Sequence, residues 1–121
     1  MDRYSKIARI AEVEFSSIVS GTHDFGHKLR IYLNDTSFID IFITKKLRTE
    51  RFAIHWERMH VDNTIYRIDN APDPKWKGIS TFPTHFHNRS YTSVIKPPFS
   101  FASLEDLVRK FLTYIQEQQY I

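Results

Sequence analysis

Apolar and polar residues alternate with a period of two through the middle of the chain, in four separate runs. In KLRIYL, Leu29, Ile31 and Leu33 alternate with Arg30 and Tyr32; in SFIDIFI, Ile39, Ile41 and Ile43 alternate with Phe38, Asp40 and Phe42. RFAIHWER sets Phe52, Ile54 and Trp56 against Ala53, His55 and Glu57, and TIYRID sets Tyr66 and Ile68 against Ile65, Arg67 and Asp69. A two-residue repeat sends successive side chains to opposite faces, so each run predicts a half-buried strand. NDT and HVDN, rich in turn formers, supply reversals between them. The runs together predict an antiparallel meander with one apolar face.

The tail changes period. Leu104, Leu107, Val108, Phe111, Leu112 and Ile115 recur at helical spacing behind Ser103 and Asp106, which predicts an amphipathic helix from about Ser103 to Gln116. An apolar sheet face needs a cover, and this helix is the obvious lid. At the other end, Ile7, Ile10 and Ala11 predict a short helix within residues 3–12, VEFSSIV (13–19) a strand, and GTHDFG (21–26) a turn or loop. The predicted fold class is α+β: a single antiparallel β-sheet, a meander of four or five strands, packed on one face by the C-terminal helix with help from the N-terminal segment. No repeat, low-complexity tract or linker divides the sequence, so residues 1–121 are expected to form a single domain.

Parity then sorts the polar residues. The simplest pairing of the third and fourth runs sets Ile54 opposite Ile68, Trp56 opposite Tyr66, His55 opposite Arg67 and Ala53 opposite Asp69. Pairing Ile31 with Ile41 in the earlier hairpin sets Tyr32 opposite Asp40. The face away from the helix carries Arg30, Tyr32, Asp40, His55, Glu57, Arg67 and Asp69. Such a face is either a solvated surface laced with cross-strand charge pairs or the floor of a site. Asp69 runs directly into Asn70-Ala71-Pro72, and the chain returns in TFPTHFH (81–87), whose His85 and His87 lie on one side of an extended segment. His55, Arg67, Asp69, His85 and His87 are therefore the candidate site residues, expected to converge on a shallow pocket, with the three histidines exposed.

Other features weigh less. His23, His27 and His60 fall in or beside predicted turns and are expected to be exposed. KKLR (45–48) reads as a solvated connection, with contact to a phosphate backbone as the alternative. Trp76, in WKGIS, reads as the anchor of a long loop.

Composition narrows the chemistry. The absence of cysteine removes thiolate catalysis, cysteine-ligated zinc and a disulfide framework. No phosphate-binding glycine loop, nucleophile elbow, HExxH or EF-hand pattern is present. The net charge of +3 is compatible with RNA and equally with proteins that touch no nucleic acid. No apolar run has the length of a signal peptide or membrane span, so a cytoplasmic protein without membrane association is expected.

Three functional classes stay open. Two imidazoles that exchange protons near neutral pH are what metal-free RNA cleavage needs, with Arg67 stabilising phosphoryl charge, Asp69 orienting an imidazole, and no cofactor. The same atoms suit a metal: His55, Asp69, His85 and His87 offer a zinc or manganese ligand set for a hydrolase or nuclease. A polar face that docks a protein partner, without chemistry, is the third.

With YRIDNAP, a proline-containing loop, TFPTHFH and a closing amphipathic helix in this order, the chain resembles the TumE family, proposed toxins of prokaryotic toxin–antitoxin systems. The resemblance runs from about residue 28 to the C-terminal helix, and its specific part is Arg67 to His87. Asp69, Asn70, Ala71, Pro72, Thr81, Phe82, Pro83, His85 and His87 match the family's strings, while Asp73 and Thr84 stand where histidines are common. The resemblance implies a toxin paired with a small helix-turn-helix antitoxin and acting on RNA; a second copy of the chain is a further candidate partner.

Overall fold

The alternating runs place their apolar residues on one face of a single sheet, and helices at the two ends of the chain close over it. The computed structural model describes residues 2–46, 48–118 and 120, with Lys46 by its backbone alone. Seven antiparallel strands follow one another in chain order: β1 (Val19–Asp24), β2 (Leu29–Leu33), β3 (Phe38–Lys46), β4 (Thr49–Arg58), β5 (Thr64–Asp69), β6 (His85–Arg89) and β7 (Val94–Ile95). Helix α1 (Arg3–Arg9) runs into a π-helical turn (Ile10–Glu14), one helical turn α2 (Met59–Asp62) links β4 to β5, and α3 (Leu104–Glu117) ends the fold. The α+β class and meander order are as predicted, with more strands than the four or five expected.

The apolar set behaves as its parity requires. Leu29, Ile31, Leu33, Ile39, Ile41, Ile54, Trp56, Tyr66 and Ile68 are buried together with Leu104, Leu107, Val108, Phe111, Leu112 and Ile115 of α3, and Ile43 and Phe52 pack at the margin. Ser103 caps α3 by accepting a hydrogen bond from the Asp106 N–H at 3.0 Å, while the Asp106 carboxylate accepts one from the Ala102 N–H at 2.9 Å. Buried Trp56 satisfies its indole N–H on the Ser37 hydroxyl at 2.9 Å.

The N-terminal third differs from expectation. Residues 13–19 are not a strand: the helix continues through its π-helical turn to Glu14, and β1 begins only at Val19. In a strand Val13 and Phe15 would share a face, yet Val13 is exposed and Phe15 buried. The buried set Ile7, Ile10, Ala11, Phe15 and Ile18 follows the helical period, overriding the strand propensity of Val and Phe. GTHDFG is mostly strand as well; the reversal is confined to its end, where Gly26 adopts φ +89° and its N–H donates to the Asp24 carboxylate at 2.7 Å.

The β4–β5 register is the predicted one, with Ile54 opposite Ile68, His55 opposite Arg67 and Ala53 opposite Asp69. The β2–β3 register is two residues from expectation: Ile31 faces Ile39, Leu29 faces Ile41 and Arg30, not Tyr32, faces Asp40. The tight reversal decides this, since the Leu33 N–H donates to Ser37 O at 3.0 Å around Thr36 at φ +74°. A slip of two preserves which face each side chain takes. It also gives Asp40 a two-pronged partner in Arg30, at 2.8 and 2.9 Å, with Lys28 at 3.1 Å.

Two measurements follow from this frame. Leu107 is fully buried under the sheet, so Leu107→Ala should lower unfolding free energy by about 2–5 kcal/mol in a urea titration, through lost burial and a residual cavity. Burial alone would raise the Asp40 carboxyl, but hydrogen bonds from Arg30 and Lys28 outweigh it and hold the group below its ordinary range. A depressed folded-state value contributes stability above the unfolded value of about 3.9 that is lost as pH falls through the folded one. The stability gap between wild type and Asp40→Asn should therefore be full near neutrality and shrink below about pH 4.

Candidate functional site

On the face opposite α3, two rows of side chains cross the sheet. Phe42, Ala53, Asp69 and His85 stand opposite one another across β3 to β6; Arg30, Asp40, His55, Arg67 and His87 form the next row, across β2 to β6. The two rows meet at the β5–β6 edge around the Asp69 carboxylate.

The DNAP string fixes that carboxylate. The Ala71 N–H donates to Asp69 Oδ1 at 3.0 Å, an Asx turn, and Arg67 Nε donates to Oδ2 at 3.1 Å. Asn70 continues the ladder with its side chain: its Oδ1 accepts from the Phe52 N–H at 3.0 Å and its Nδ2 donates to Glu50 O at 2.9 Å. The carboxylate is thus held by its own strand end and by its neighbour.

Both histidines aim at it. His85 Nε2 lies 3.3 Å from Asp69 Oδ1 and His87 Nε2 lies 3.9 Å from Oδ2. Their other nitrogens are committed to carbonyls: His85 Nδ1 donates to Pro83 O at 2.9 Å and His87 Nδ1 to Tyr91 O at 3.0 Å. A carbonyl only accepts, so each Nδ1 carries a proton, and each ring turns its Nε2 toward the carboxylate. Burial, with the neighbouring His85 and Arg67 adding to it against the pull of Tyr91 O and Asp69, holds His87 below the ordinary imidazole range, so it is neutral at pH 7. One donor atom from each of Asp69, His85 and His87 lies within 4.8 Å of the others.

Of the five candidates, Arg67, Asp69, His85 and His87 are brought together. His55 sits in the row between Asp40 and Arg67, but its Nε2 meets Glu57 Oε1 at 3.1 Å, its ring faces Tyr91 at 6.0 Å, and its Nδ1 is buried without a partner. The expected exposure is corrected: His85 is 2% exposed, and His55 and His87 are buried too. Trp76, at ring distances of 5.8 Å from His85 and 6.2 Å from His87, covers them from the long loop it anchors. His23, His27 and His60 are exposed. Of KKLR, Lys45 and Lys46 end β3, paired with Glu50 and Thr49, while Leu47 and the Lys46 side chain lie outside the described residues. Asp73 caps a short 3-10 turn by accepting from the Lys75 N–H at 3.0 Å, and Thr84 O accepts from the Thr81 hydroxyl at 2.7 Å. Neither residue belongs to the Asp69 cluster. No described helix is long and apolar enough to cross a membrane.

Tyr91 escaped the sequence reading, and Pro83 entered it only as part of a matching string, because both act through backbone carbonyls, which carry no residue-type signal. Asn70 was visible in the motif, but its use as a side-chain rung was not.

The neutral His87 ring offers the carboxylate no donor at Nε2 unless a cation or proton lies between them. Asp69→Asn supplies an amide N–H that can donate to an Nε2, so in metal-free protein its unfolding free energy should equal or exceed wild type within about 1 kcal/mol, measured by denaturant titration. His85→Ala, which empties a buried position, should cost about 1–3 kcal/mol in the same assay.

Comparison with curated proteins gave no match, and comparison with solved structures gave none either. The family model described as Toxin TumE matches residues 4–119, from the start of α1 to just past α3, and the chain belongs to that toxin family.

Proposed function

We propose that this toxin is a metal-dependent phosphodiesterase acting on RNA, with Asp69, His85 and His87 as ligands of a zinc or manganese ion. The observation that carries this reading is the pair of Nδ1–H bonds to Pro83 O and Tyr91 O, which leave two Nε2 atoms converging on one carboxylate. Ligating histidines characteristically donate their second ring N–H to a carbonyl, and two imidazoles with one carboxylate suit zinc, manganese or iron(II). Ligands around a tetrahedral ion with bonds of about 2.0 Å stand roughly 3.3 Å apart, close to the 3.3 and 3.9 Å separations here.

A bound ion of this kind supplies a Lewis acid and a more acidic water. The chain supplies the rest. Arg67, whose Nε is committed to Asp69, keeps further guanidinium donors for a phosphoryl oxygen. His55, tied to Glu57, is not a ligand in this reading but stands beside Arg67 as a proton-transfer group. The metal-free alternative, in which two imidazoles exchange protons with the substrate, has less support because His85 is almost wholly buried and both Nε2 atoms face Asp69. Membership of a toxin family implies an antitoxin partner; a small helix-turn-helix protein is the proposed one.

Elemental analysis of the purified protein should find about one transition-metal ion per chain, lost in His85→Ala, His87→Ala and Asp69→Asn and retained in His55→Ala. RNA cleavage should stop with EDTA and return with zinc or manganese. Cleavage by metal-free protein that ignores the chelator would return the argument to imidazole acid–base chemistry.

A further inference from the structure

Beside the Asp69 centre the polar face is interrupted by a trough, and its cause is one small residue. Ala53 stands between Phe42 on β3 and Asp69 on β5 in the same cross-strand row. Neighbouring strands are about 4.8 Å apart, so the two walls rise roughly 9.6 Å from each other over a floor that has only a methyl group. The resulting open groove has a volume of about 620 Å³ and is lined by Phe42, Arg51, Ala53, Arg67, Asp69 and Asn70 among others.

Its chemistry is uneven in a telling way. Lys28 and Arg30, further out on the same face, are both spent on Asp40. Arg51 makes no ion pair among the described residues: it donates from Nη1 to Asn70 O at 3.2 Å and its Nε is buried without a partner, while Arg67 donates from Nε to Asp69 and has its two terminal nitrogens left over. Each guanidinium has five N–H donors, so both keep donors for an anion. Phe42 is half-buried and lines the opposite wall, with Lys28 Nζ 5.8 Å from its ring centroid. An aromatic face opposite unspent guanidinium groups is the combination that holds an unpaired base and its phosphate, since any base can stack while arginine grips the backbone.

We propose that this trough holds one unpaired nucleotide of a single-stranded nucleic acid, with its base against Phe42 and its phosphate on Arg51 and Arg67. The proposal rests on reading the neighbouring centre as one that acts on RNA, and it adds strandedness as the substrate criterion. A base inside a duplex presents no free face to Phe42, whereas a single strand laid along the groove brings the next phosphate to Asp69, His85 and His87.

The test is binding, measured apart from cleavage. Fluorescence anisotropy of a labelled single-stranded oligoribonucleotide, with EDTA present, compares the full-length protein with Ala53→Leu, which fills the trough from its floor, and with Arg51→Gln on its rim. Thermal melts check that each variant is folded. Each variant should bind about tenfold or more weakly, the loss of roughly one stacking or phosphate contact, and Arg51→Gln should lower the salt slope by about one. Metal content should be unchanged in both. Folded variants that bind like wild type would overturn the proposal, as would a duplex of the same sequence binding equally well. Competition by inorganic phosphate as effective as that by the oligonucleotide would reduce the trough to an anion site and overturn it too. Wild type that carries no metal but loses binding in Ala53→Leu would sink the catalytic reading and leave the trough standing; metal-bearing protein with trough-independent binding would do the reverse.

Discussion

Side-chain alternation along β2 to β6 is the constraint on which everything else depends. The energy is in the apolar half: Ile31, Ile41, Ile54, Ile68 and Phe86 leave water only if their face meets α3 and the N-terminal helix. Once they do, Arg67, Asp69, His85 and His87 have no choice of side. A register slip of one residue in β6 would bury both imidazoles in the core and expose Phe86, at a cost of several kcal/mol. Hydrophobic burial on one face therefore specifies polar geometry on the other to within a strand spacing.

What parity cannot supply is aim, and local hydrogen bonding does. The Asx turn at Asp69, the Asn70 rung onto β4, and the Pro83 and Tyr91 carbonyls orient one carboxylate and two rings toward a common point. The result crowds three polar groups that can ionise into a region shielded from water, where burial holds the His87 ring neutral. Such crowding is what a functional centre needs and what a fold selected only for stability would avoid.

The sheet, its covered face, the β4–β5 register and the closing helix were legible because each rests on periodicity summed over many residues. So was the sharing of one face by Arg67, Asp69, His85 and His87. The segment around Phe15 was misjudged because its local β propensity conflicted with a helical period that extends from Ile7 to Ile18. The β2–β3 register depended on the conformation of Thr36, which residue type does not announce. The burial of His85 and His87 came from Trp76 and Tyr91, contributed by loops whose path has no periodic signature. His55 shows the limit of parity: the face was right, and a choice of partner two residues away, Glu57, drew its ring aside.

The lengths of the connections carry a consequence for how the molecule comes together. Every strand pairs with its successor, and the links are two to five residues long except between β5 and β6, where Asn70 to Thr84 make fifteen. Loop closure over fifteen residues rather than five costs about 1 kcal/mol more, as (3/2)RT ln 3, which makes this the most expensive pairing in an otherwise local topology. Asp69 and the scaffold beneath it belong to the cheap part; His85 and His87 arrive with the expensive one. A chain leaving the ribosome can thus assemble a five-stranded scaffold carrying Asp69 alone of the three clustered residues, and the cluster is complete only when the slowest contact closes.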